Sequence, residues 1–455
     1  MKQLRLFLLL AAGLFLTSCS EPQSDEFPNP DPPPTVGRHA VPIDQALGEL
    51  DDLLGVIDGQ GTRAGGVRTI AQVQTLHAQA LALTRSASEP GEQPEELLYV
   101  VNFEDDAGYA VLGADDRLPG VLAVTDEGSL TTEELVRAAN GQTTPEEFTF
   151  PNEMLMNYVS GIGGIGGGGI GGGGIGGGGI PTGPFTDFDT QLGNPPAGFE
   201  GYEWSDWKNL EYVAPMVTTR WHQEDPFNRH CPVIGGETCV AGCAAIAMAQ
   251  IVASNHLHHN VSPGRIGNIS LNWTLIRQGI IDPDLLNRNS SIANQVALLV
   301  AALGLKLGMN YGVTQSGASI DDAEYCFKYI GYKGVNNHTF RPSYVRTMLW
   351  ERQRPTYVRA VNAQKEGHAW VADGWLYRRR DQYAVIFGKR SDYSVSNQTQ
   401  TLMHCNFGWG GRCDGFYHIG LFNTNEQAVI PDIDYTPVDD DYNGGKRMIT
   451  YTEMY

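Results

Sequence analysis

Cys243, His368 and Asn406 are the residues whose types and surroundings could carry covalent chemistry. Ala241-Gly242-Cys243 opens the segment 244–253, AAIAMAQIVA, which is apolar nearly all round and rich in strong helix formers. A buried helix is predicted there, with Cys243 at its start. The free amide N–H groups and partial positive charge of a helix N-terminus favour thiolate over thiol, and thiolate is the nucleophilic form. Taken alone, a small cysteine opening a core helix is more often simple packing. The downstream sequence changes that reading. A nucleophilic thiolate needs an imidazole to pair with and to protonate the leaving group, and the imidazole needs a third group to fix its tautomer. His368 lies 125 residues on, follows Gly367 and leads the apolar stretch 369–372. A strand there would hold the ring rigidly, while the glycine permits close approach of a ligand backbone. Asn406, within the run 403–411, MHCNFGWGG, offers a side-chain oxygen to the ring N–H of that histidine.

The order Cys, His, Asn is the papain order, and the interval of 125 residues sits near the lower edge of the roughly 130 to 150 typical of papain-like enzymes. Four blocks make the likeness specific, and together they resemble a streptopain-type peptidase, a papain-like family secreted as zymogens. Residues 219–232, TRWHQEDPFNRHCP, are similar to the family's entry motif, Gly242-Cys243 with its alanine-rich helix to the nucleophile motif, and 367–371, GHAWV, to the histidine motif. Asn310-Tyr311-Gly312 followed by Ser316-Gly317-Ala318 resembles the substrate-cleft loop, with Ala318 standing where a serine is common. Phe407 replaces the tryptophan usual after the asparagine, which keeps an aromatic cover with a smaller ring. The resemblance implies a cysteine endopeptidase with Cys243 as nucleophile, His368 as general base and acid, and Asn406 as orienting residue. It further implies that Gln223 and the backbone N–H of Cys243 receive the oxyanion. Gly317, Ala318, Gly367 and Trp409 would line a tolerant substrate cleft with an apolar pocket one residue before the cleaved position.

The elements that must position these groups fall into two units. Residues 40–158 show helical periodicity at 43–57 and again at 67–83, then strands at 97–103, 108–112 and 121–124 parted by Asp105-Asp106, Asp115-Asp116 and Pro119-Gly120 turn signals. This small α+β unit holds no cysteine. Its run 108–117, GYAVLGADDR, resembles the family's prodomain, which implies an intramolecular inhibitor folded over the cleft. Residues 159–202 form a linker and activation segment whose tract 161–180 is almost only glycine, with isoleucine every five residues. As a flexible coil it reaches roughly 25 Å and is the kind of segment peptidases nick readily. Residues 203–455 are predicted to form the catalytic unit, helical around 243–253 and 292–307, then stranded at 355–361, 368–372, 383–387, 402–406 and 416–419. The expected fold class is α+β, a papain-like two-lobe domain preceded by a small α+β inhibitory prodomain.

The 455 residues exceed what one hydrophobic core usually supports, in keeping with two folded units. A formal charge of −21 repels phosphate backbones, so no nucleic-acid partner is expected. Lys2 and Arg5 precede an apolar run at 6–16 that is too short to span a bilayer and reads as a signal peptide over 1–18. The run ends in Leu16-Thr17-Ser18-Cys19, which resembles a bacterial lipobox, so Cys19 is expected to carry lipid. Residues 19–39 then form a proline-rich tether, and the chain is exported and held at the outer membrane or cell surface. Of the six cysteines that remain, Cys231 with Cys239 and Cys405 with Cys413 are near enough in sequence to close short loops, a matter geometry decides. His256, His258 and His259 lack a completing ligand set, and the acidic stretch 439–441 lacks the spacing of a calcium loop, so no metal or cofactor is expected. The expected partners are protein or peptide substrates, the chain's own prodomain and a membrane reached through Cys19. Two other readings stay open: a papain-like amidase or transpeptidase acting on cell-wall peptides, and a non-catalytic surface lipoprotein that binds a ligand.

Overall fold

The structure is a computed structural model that describes residues 40–59, 67–81, 96–140, 149–162, 197–361, 367–422 and 445–454. The signal segment, Cys19, the tether, most of the glycine-rich linker and the acidic stretch 439–441 lie outside the described residues.

Helix α1 (Ile43–Ile57) forms where the apolar spacing requires it, with Ala46, Leu50, Leu53 and Ile57 buried along one stripe and Asp51 and Asp52 exposed. Four strands follow: β1 (Ile70–His77), β2 (Glu96–Phe103), β3 (Tyr109–Gly113) and β4 (Val121–Thr125). β1 corrects the helix expected over 67–83. Its Val73 pairs with Val101 of β2, while Val67, Ile70 and Val73 stay exposed, so their spacing reflects a β-branched edge strand rather than a buried helical stripe. Helix α2 (Thr132–Ala139) starts at a capping box in which Thr131 and Glu134 satisfy each other's backbone N–H groups. Helix α3 (Thr149–Ile162) closes this region.

The C-terminal region opens with β5 (Phe199–Trp204) and β6 (Lys208–Val213). Helix α4 (Cys243–His259) comes next, buried continuously from Ala244 to His256 as the all-round apolar sequence dictates. Around it pack α5 (Trp273–Ile281), α6 (Ser290–Lys306) and α7 (Ile320–Tyr329), making a helical lobe. The strand lobe consists of β7 (Asn336–Thr339), β8 (Thr356–Val361), the long β9 (Gly367–Ile386) and β10 (Lys389–Asn406), β11 (Gly415–His418) and β12 (Arg447–Thr450). The short strands expected at 368–372 and 383–387 are the two ends of one 20-residue strand.

One sheet joins both regions in the order β1-β2-β3-β4-β11-β10-β9-β8-β12-β7, with β5 and β6 also paired to β9. The junction is an antiparallel pairing of β4 with β11, Gly415 opposite Thr125, Phe416 opposite Val124 and Tyr417 opposite Ala123. Side chains follow the same seam. Helix α3 inserts Phe150, Leu155 and Val159 into the apolar cluster of Trp370, Phe407 and Phe422. Helix α1 lies over Leu376, Leu402 and Phe416.

Candidate active site

Gly242 turns the chain into α4 with φ of +86°, a left-handed conformation, and a Cβ there would stand 2.9 Å from the Met309 sulfur and 3.0 Å from the Ser316 carbonyl oxygen. Only glycine fits this close approach. Cys243 is therefore delivered as the first residue of the helix, half-buried. Burial raises its thiol pKa, while the backbone N–H of Ala369, the Arg359 guanidinium and the N–H groups of Ala244 and Cys243 itself act in the opposite direction. Sulfur thus faces the strand residue that directly follows His368.

His368 itself is turned elsewhere. Its Nε2 donates to the Phe407 carbonyl at 3.0 Å, which fixes the proton on that nitrogen. The ring stacks on Trp409 at 4.4 Å between centroids and meets Phe150 of α3 at 5.8 Å. Burial lowers its pKa to about 4, with the Phe407 hydrogen bond acting weakly against that, so the imidazole is neutral. No hydrogen bond joins it to Cys243 Sγ among the described residues.

Asn406 pairs with Val371 across β9 and β10, two residues beyond Ala369. Its carboxamide is otherwise engaged than the sequence suggests. Oδ1 accepts from Gln250 Nε2 at 2.8 Å and from the Gly408 N–H at 3.1 Å, and Nδ2 donates to the Thr219 carbonyl at 3.0 Å. Thr219 Oγ1 closes the ring by donating to Gln250 Oε1 at 2.9 Å. The hydrogen bond expected from His368 to Asn406 is absent from this arrangement because the ring points to the neighbouring carbonyl.

Gln223, twenty residues before Cys243 in sequence, is brought beside it by backbone: its carbonyl accepts from the Ala241 N–H at 2.8 Å. Trp221, fully buried against Phe227, anchors this entry segment. Gly317 exchanges both backbone hydrogen bonds with Asn310, at 2.9 and 3.1 Å, and Ser316 donates to the Val240 carbonyl at 2.7 Å, so this loop forms a wall beside Gly242. Ala318 is half-buried against the helical core. Gly367 lies under the Arg359 guanidinium, which a Cβ would approach to 2.7 Å. The structure thus brings the Gln223 backbone and the Ser316-Gly317 loop beside the turn that delivers Cys243, while His368 stacks on Trp409 and meets Phe150 of α3.

Sequence reasoning missed Phe150 and Arg359, which carry no motif of their own, and gave no role to Thr219 and Gln250 although both lie inside quoted segments. It also missed a buried ionic group. His404 sits between Asp373, at 2.6 Å from Nδ1, and Asp126, at 3.2 Å from Nε2. Burial alone would lower its pKa, but the two carboxylates raise it to about 10. Asp126 belongs to the N-terminal region, so this imidazolium joins the two regions, as do the ion pairs Arg220–Glu127 and Arg380–Glu49. The cysteines at 231, 239, 243, 326, 405 and 413 are all unbridged, which sets aside the two short-loop disulfides. His256, His258 and His259 diverge, to Ser262, to the Met216 carbonyl and to the Gln353 carbonyl.

The site thus presents a thiol at a helix start facing a strand that carries an imidazole. Residues 221–417 match the Peptidase C10 family, so the streptopain-type family recognised from the motifs is the one the comparison finds. Streptopain of Streptococcus pyogenes is 24% identical over 243 residues, 45% of this chain and 54% of that protein. The chain therefore spans about half the length of the curated relatives it matches. Among solved structures, a fragment of Prevotella intermedia prointerpain A is similar with a TM-score of 0.46 and 18% identity, covering 84% of this chain and 98% of that one. Active wild-type Prevotella intermedia interpain A, a cysteine protease, gives 0.37 and 20%, covering 53% and 95%.

Proposed function

We propose that the chain is a cysteine endopeptidase made as a lipid-anchored zymogen and acting on proteins or peptides. The observation that carries this reading is the placing of Cys243 Sγ against the N–H of Ala369, one residue from His368 on the same strand. The reading requires the His368 side chain to turn away from the Phe407 carbonyl and toward the thiol. His368 then takes the Cys243 thiol proton, the thiolate attacks the scissile carbonyl while Gln223 and the Cys243 N–H receive the oxyanion, the His368 imidazolium gives that proton to the departing amine, and water, deprotonated by His368, hydrolyses the thioester and returns the thiol. Phe150 of α3 occupies the space against the imidazole, which supports restraint by the N-terminal region. Cleavage between 161 and 212 would lift that restraint. Cys19 would hold the precursor at an outer membrane or cell surface.

Mass spectrometry of the purified full chain, beside Cys243→Ala, after incubation at neutral pH with reductant tests the reading. Loss of the N-terminal region from the wild type alone, with a new N-terminus between residues 161 and 212, is the expected result. Identical fragmentation of both chains, or no hydrolysis of any protein after an outside peptidase has cut the linker, sinks it.

A further inference from the structure

On β9, Leu376, Arg378 and Arg380 alternate onto one face, opposite to Trp375 and Tyr377, which serve the other core. That face is covered by α1. Leu50, Leu53 and Ile57 lie on Leu376, Leu402 and Phe416, and Arg380 Nη2 pairs with Glu49 Oε1 at 2.7 Å. The end of β5 and the residues just after it wrap the arginines from the side. Arg380 lies 4.9 Å from the Trp204 ring and 4.6 Å from Trp207, and Arg378 lies 4.5 Å from Trp207. Arg378 is fully buried and donates from Nε to Gln400 Oε1 at 2.6 Å, yet its Nη1 and Nη2 have no hydrogen-bond partner among the described residues. Two guanidinium nitrogens buried without a protein partner are costly, and they are suited to a carboxylate. The charges of Glu49 and Asp52 already act on this arginine.

We infer that this face becomes a docking surface for an acidic amphipathic helix of a protein substrate once the N-terminal region has left. The inference rests on the reading of the chain as a zymogen of a peptidase. The chemistry of the occupant is that of α1: leucine and isoleucine at helical spacing, with carboxylates beside the arginine pair. Arg380 is twelve residues along β9 from His368, about 40 Å of extended strand. A substrate must be a protein of domain size to reach both places, so docking would favour proteins over short peptides.

The test uses the full chain carrying Cys243→Ala, with a site for a specific outside peptidase inserted in the glycine tract. A labelled peptide of residues 41–59 is the probe, read by fluorescence anisotropy. Before cutting, the peptide does not bind. After cutting and departure of the N-terminal fragment it binds, at least tenfold more weakly with Arg380→Glu. A peptide with Glu49→Lys and Asp52→Lys, which needs no folded variant, also binds at least tenfold more weakly. Equal binding to both chains and by both peptides, no binding after the fragment has left, or a fragment that never leaves each overturns the docking surface. Hydrolysis of a short unstructured peptide by the processed wild-type chain reads the peptidase function separately, so loss of one does not mimic loss of the other.

Discussion

Cys243 is half-buried with its pKa raised, and the imidazole that should pair with it is neutral and bonded elsewhere. In the full chain its alkylation by iodoacetamide is therefore expected to keep climbing at pH values above the ordinary cysteine range, and to shift to lower pH after processing. A near-neutral midpoint in the uncut chain would show that the thiolate is already paired. His368 titrates with the opposite linkage. Its folded pKa of about 4 lies below the ordinary imidazole value, so keeping it buried and neutral costs nothing above that value and progressively more as pH falls toward 4. The thermal midpoint of the precursor should fall over that window, and fall less in His368→Ala. At this scale the residue types were legible in the sequence. Their directions were not, because a rotamer depends on distant partners: Gln250 stands 156 residues from Asn406, and Phe150 reaches His368 from another region.

Among the elements, α4 was legible because a ten-residue apolar run rich in alanine, the strongest helix former, reads as a buried helix, and β2 to β4 because turn signals frame them. β1 was misread because three β-branched residues at helical spacing are equally compatible with an exposed strand, and only pairing with β2 decides. Helix α3 carries the consequence for activity. Phe150 packs against both His368 and Trp370, with centroids 5.8 and 5.4 Å away. Phe150→Ala is expected to cost about 3–5 kcal/mol of precursor stability, as for other buried aromatic truncations, and to speed Cys243 alkylation in the uncut chain. Unchanged alkylation in a variant whose melting temperature has fallen would dissociate α3 from control of the imidazole.

Across the whole molecule the two regions share one sheet and one buried charge. His404 has a folded pKa of about 10, above the ordinary imidazole value, so its stabilising contribution is complete below that value and is lost as pH rises toward 10. Precursor stability should decline over that alkaline window, while His404→Gln is less stable throughout and flatter. Asp126→Asn, which breaks a buried pair, is expected to cost about 3–5 kcal/mol and to ease separation of the regions. A parallel decline in wild type and His404→Gln would place the alkaline sensitivity elsewhere. The sequence could not show this, since Asp126 lies 278 residues before His404 and no motif contains both.

The seam between β4 and β11 has a further result. When the N-terminal region departs, Gly415, Phe416 and Tyr417 keep their pairing with β10 but lose β4 on the other side, and a strand from the middle of a sheet becomes its rim. Four residues make a short rim, but a raw one. Processed protein is therefore expected to self-associate at concentrations where the precursor stays dispersed, a difference that light scattering reads directly. If both forms scatter alike, the new border is shielded by the chain itself. Proteolytic activation would then trade one strand partner for another rather than leaving the ladder open.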